Sequence, residues 1–103
     1  MSTDVAGARR LNRAERQKLG ITFRTALKHA RELKRRGELV EDDKETAAEQ
    51  VAAAFIAENP ALFKAAAGED ERDWESFFAA LIEFLERLMP LILQLISIFG
   101  GIV

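Results

Sequence analysis

The sequence predicts an all-α protein of about four helices, and three observations carry that reading. Ala, Leu, Glu, Arg and Lys, all good helix formers, dominate the 103 residues, with only six Gly and two Pro to interrupt them. Apolar residues recur at spacings of three and four, without the alternation of a strand. Residues suited to capping stand at the ends of the periodic runs. Hydrophobic residues make up 49% of the chain and the net charge is only −2, a composition that supports a core rather than disorder throughout. A chain of this length makes one structural unit, and the core it can bury alone is small.

Residues 1–41 form a basic helical region. Asn12 followed by Glu15 has the spacing of a capping box, so a helix is predicted from Arg13, weakened at Gly20 and ended by Gly37. Along it Leu19, Phe23, Ala26, Leu27, Ala30, Leu33 and, past Gly37, Val40 make one apolar stripe, while Arg24, Lys28, Arg31 and Arg35 recur on another side.

Residues 42–68 are an Ala-rich helical middle. Asp42 with Glu45 predicts a second capping box and a helix across KETAAEQVAAAFIAE, with Ala48, Val51, Ala52, Phe55 and Ile56 on its apolar side. Asn59 stops that helix and is placed to cap a short one, with Pro60 in the first turn and Gly68 as terminator.

Residues 69–103 form an acidic-capped hydrophobic helix. Glu69, Asp70, Glu71 and Asp73 suit the partial positive charge of a helix N-terminus. The helix is predicted over about 71–99, bent near Pro90 and ended by Gly100 and Gly101. Phe78, Leu85, Ile92 and Phe99 repeat every seven residues, as do Leu81, Leu88, Leu95 and Ile102, which together make a coiled-coil seam. Phe77, Phe84, Leu91 and Ile98 form a flanking row, and Ile82, Met89 and Ile96 another. The remaining polar strip consists of Ser76 with Glu83, Glu86, Arg87, Gln94 and Ser97.

So wide an apolar surface calls for neighbours. The earlier helices offer mainly Ala, while full burial of the large side chains on this helix is worth about 20–30 kcal/mol as an upper bound. Three fates follow: the helix is the centre of a monomeric bundle, it packs against copies of itself, or it enters a membrane. Residues 88–103 carry no charge but span only about 24 Å, less than the roughly 30 Å of a hydrocarbon core. Starting the span at Phe77 adds Glu83, Glu86 and Arg87, which are costly at depth unless paired or facing a polar lumen. Several such helices with the polar strip inward would make a bundle or pore. Trp74 suits either an interfacial anchor or core packing.

Charge is divided along the chain. Residues 1–37 hold 11 basic and 3 acidic residues, a balance of +8, and residues 38–103 hold 4 basic and 14 acidic ones, a balance of −10. The basic stripe Arg24, Lys28, Arg31 and Arg35 is the footprint of a polyanion contact: nucleic acid, an anionic lipid surface, or the acidic residues of a neighbouring copy. Motifs for sequence-specific nucleic-acid recognition are missing, so any such contact is non-specific.

Catalytic and metal chemistry find little support. There is no cysteine, and His29, the only histidine, is flanked by Lys28 and Arg31 as an exposed imidazole would be. No phosphate-binding loop, dinucleotide fingerprint, nucleophile elbow or calcium loop is present. The expectation is a non-enzymatic structural or assembly protein without cofactor, metal or small-molecule substrate. Its C-terminal helix self-associates or inserts in a membrane, and its basic helix meets a polyanion or an acidic neighbour. The alternative is a sequence-independent nucleic-acid-binding accessory protein with the last helix as internal core or dimer seam. The charged N-terminus is unlike a signal peptide. The expected setting is the cytoplasm, a membrane with the N-terminus on the cytoplasmic side, or a viral particle.

Overall fold

A computed structural model describes residues 10–68 and 70–99. Among them the chain is all-helical, with five helices: α1 Arg13–Leu19, α2 Phe23–Arg35, α3 Lys44–Glu58, α4 Pro60–Ala67 and α5 Glu71–Phe99. The expected terminators Gly100 and Gly101 lie outside the described residues.

The capping box at Asn12 forms as the spacing predicts. Glu15 N–H donates to Asn12 Oδ1 at 2.8 Å and Asn12 N–H to Glu15 Oε1 at 3.1 Å. The single helix expected from Arg13 to Gly37 is instead two. Gly20 takes the left-handed conformation at φ 73°, Gly20 N–H donates to the Gln17 carbonyl and Ile21 N–H to that of Arg16. That is a Schellman closure, which a residue with a Cβ adopts only under strain. Thr22 then starts α2 through reciprocal bonds with Thr25, whose hydroxyl also donates to the Gly20 carbonyl. The same closure ends α2 at Gly37.

The N-cap of α3 is Asp43 rather than Asp42. Its carboxylate accepts from Glu45 N–H at 3.1 Å and from the Thr46 hydroxyl at 2.7 Å. Asn59 ends α3 and precedes α4, but its side chain makes no capping bond. Asp70 opens α5: its carboxylate accepts from Arg72 N–H and its carbonyl from Trp74 N–H. From there α5 continues as one element through Pro90, which is exposed.

The long α5 is the hub. It packs most extensively on α3 and also meets α2 and α4, while α1 sits against α4. Phe77, Leu81, Leu85, Met89 and Ile92 of α5 are wholly buried and Ile96 nearly so. Much of their cover comes from small residues, with Phe63 of α4 meeting Phe77 edge to face at 6.1 Å. Ala47, Ala48 and Ala52 of α3 and Ala26 and Ala30 of α2 are fully buried, together with Val51. Alanine brings helix backbones close, so backbone and Cβ atoms supply much of the enclosure of the large side chains on α5. The Ala-rich helices thus cover one side of α5 as far as Ile96, while Leu91, Ile98 and Phe99 stay exposed. Trp74 is half-buried and packs against the same core, 6.0 Å from Phe77 and stacked at 6.1 Å on Phe78, ring centroid to ring centroid. Among the described residues no polar or charged side chain is buried.

Candidate functional site

Two surfaces of the fold carry chemistry that its own packing does not use. The first is on the C-terminal half of α5. Leu91, Ile98 and Phe99 are 52%, 56% and 52% exposed, the large hydrophobic side chains most open to solvent among the described residues. Leu88 and Leu95 are half-buried beside them. Leu88, Leu91, Leu95 and Ile98 stand three, four and three residues apart, the spacing of a coiled-coil seam on one side of a helix. Arg87 and Gln94 flank it, both exposed.

This seam differs from the one the heptad count predicts. Leu81, Leu85 and Ile92 are entirely inside the chain's own core and have no open face to offer a second molecule, while Phe78, like Leu88, is half-buried and packed on that core. Leu88, Leu95 and Phe99 keep exposed area, and Ile102 lies outside the described residues. Leu91 and Ile98, read from sequence as a flanking row, are exposed. Of the polar strip, Glu83, Arg87, Gln94 and Ser97 are exposed and Glu86 is half-buried, so the strip faces outward on the monomer. Among the described residues no helix is long and apolar enough to cross a membrane.

The second surface is a groove of about 590 Å³ between α2 and α5. Arg24, Lys28, Arg31, Lys34 and Arg35 line it with a single carboxylate, Glu32, and its apolar part is Leu27 of α2 and Ile96 of α5. All four predicted polyanion contacts are thus gathered in one place. Glu32 pairs with Arg35, and Glu41 with Lys34. Arg24, Lys28 and Arg31 are exposed and have no carboxylate partner among the described residues. The sequence signals arginine spacing, but only the fold brings Ile96 beside it.

His29 is corrected from an exposed imidazole to a packed one. Its side chain is 13% exposed, with Nε2 3.2 Å from Glu58 Oε1 and its ring edge-on to Phe55 at 4.6 Å. It sits one residue off the arginine row, which turns it towards α3, and the contact ties α2 to the end of that helix. A smaller cavity of about 220 Å³ lies beside it. Among the described residues no group of His, Cys, Asp or Glu could hold a metal ion.

Comparisons with known protein families, curated proteins and solved structures return no match to this chain.

Proposed function

We propose that this protein is a non-enzymatic assembly module that pairs with a second copy of itself through Leu88, Leu91, Leu95 and Ile98. The observation that carries the reading is the coiled-coil spacing of these residues together with the exposure of Leu91 and Ile98 on a helix that buries Leu81, Leu85, Met89 and Ile92 in its own core. A seam of this kind is self-complementary: related by a two-fold axis, the same residues meet from both sides. Burying them in a partner removes from water the side chains that the fold leaves out.

The seam covers about 15 Å of helix, so the area removed from each copy falls below the roughly 800 Å² of a standard stable interface. The pair is accordingly concentration-dependent and suited to a larger assembly in which several weak contacts add. Sedimentation velocity over a range of concentrations tests this. A monomer–dimer equilibrium is expected for the full chain, and a folded monomer for Leu91→Glu with Ile98→Glu. A wild-type chain that stays monomeric at every concentration refutes it.

A further inference from the structure

We infer that the groove between α2 and α5 binds an anionic phospholipid of a membrane surface. Arg24, Lys28 and Arg31 would contact the phosphate, and half-buried Leu27 with the methylene stems of the basic side chains the first part of an acyl chain, over a floor closed by the buried Ile96. The site does not rest on self-association. Ile96 lies roughly 80–160° around α5 from the four seam residues, about 120° from the middle of the seam, so the groove and the seam are on different faces of the helix.

Charge complementarity sets the sign of the ligand. Five cations face one carboxylate around the groove, and the two acidic side chains paired with them among the described residues, Glu32 and Glu41, are engaged by Arg35 and Lys34. Three cations on successive turns of one exposed helix face are left without a carboxylate among the described residues. The rest of the chain, from residue 38, is strongly acidic, so a positive surface here is local and stands out against its own molecule.

The apolar part of the lining sets the class. A bare phosphate gains nothing from Leu27, which keeps exposed area in the groove, or from the methylene stems beside it. Single-stranded nucleic acid is held by aromatic side chains among the cations, and the groove has none. An aliphatic wall beside a cationic rim matches the boundary between headgroup and acyl chain, where basic helices bind anionic lipid. The volume, about 590 Å³, is within the usual range for a site that encloses part of a small ligand.

Flotation of the full chain with vesicles tests the assignment. Phosphatidylcholine vesicles containing phosphatidylglycerol should carry the protein upward, and phosphatidylcholine alone should not. Replacing Arg24, Lys28 and Arg31 together by Gln should lower partitioning roughly a hundredfold, since each basic residue near an anionic surface contributes about a fivefold factor. Leu27→Ser, which keeps every charge, should also weaken it. Helical content and melting of both variants, read by circular dichroism, establish that each is folded. Failure to float with anionic vesicles overturns the proposal, as does unchanged binding by the triple variant. Binding indifferent to Leu27→Ser, displaced by inorganic phosphate, or transferred to an RNA oligonucleotide reduces the groove to bare charge and overturns it as well. Loss of flotation in the Leu91→Glu, Ile98→Glu variant would move the membrane contact to the seam and also overturn it. That variant must still bind while it no longer dimerises.

Discussion

The guanidinium of Arg16 lies over the ring of Phe84, 4.6 Å from its centroid, and also donates to the Leu11 carbonyl at 2.7 Å. Through this side chain α1, which packs on α4, reaches α5 one turn before Leu88. Phe84 is in register with Leu88, Leu91, Leu95 and Ile98, four residues before the first of them. It is covered from within the chain by Arg16, whereas Leu91 and Ile98 stand exposed. Arg16→Ala should destabilise the fold by about 1–2 kcal/mol, from the lost cation–π contact and one hydrogen bond. Thermal melting of the variant checks the value, and an unchanged melting temperature would mean that α1 is not held by this contact.

The turn at Gly20 provides a second expectation. Nothing stands within 4 Å of a Cβ built there, so the cost of Gly20→Ala is purely that of the left-handed backbone. It should be about 1 kcal/mol, read from chemical denaturation. A stabilised variant would show that α1 and α2 prefer to fuse into one helix.

Much of this architecture is legible in the sequence, and the exceptions have physical causes. Asn12 with Glu15, Gly37, Gly68 and the bounds of α5 are local signals, decided by a residue and its neighbours within one turn, and they form where the sequence puts them. The identity of the outward row on α5 is not local. A strict seven-residue repeat drifts by about 20° per heptad on a straight helix, so a row that starts inward ends elsewhere after several heptads. The buried row Phe77, Leu81, Leu85, Met89, Ile92 and Ile96 advances mostly by four, and it crosses all four of the apolar rows read from the sequence. The groove is half legible. Its basic rim lies within one helix and shows in the arginine spacing, while Ile96 joins that rim only through the packing of α5 on α2.

The Asp43 cap ties stability to pH. The hydroxyl of Thr46, first, and the backbone N–H groups of Glu45 and Thr46 hold its carboxyl below the usual carboxylate range, against an opposing effect of desolvation. A lowered pKa in the folded state means that the ionised cap contributes stability above the unfolded-state pKa. That contribution is lost as pH falls through the folded-state value. The melting temperature of the wild type should therefore exceed that of Asp43→Ala at neutral pH, and the gap should close in acid. A gap independent of pH would mean that the cap does not act through its charge.

The two kinds of apolar row on α5 make opposite predictions for the same substitution. Leu85 is wholly buried beneath the Ala-rich helices, so Leu85→Ala leaves a cavity and should cost about 2–5 kcal/mol. Leu91 is 52% exposed, and Leu91→Ala should change the stability of the monomer by no more than about 0.5 kcal/mol. Denaturant unfolding at low protein concentration, where a weak pair is dissociated, isolates the stability of the monomer. Raising the concentration should then stabilise the wild type but not Leu91→Ala, because association adds to stability only when the seam can form. Equal losses at both positions, at any concentration, would place Leu91 in the core and leave α5 without a free seam.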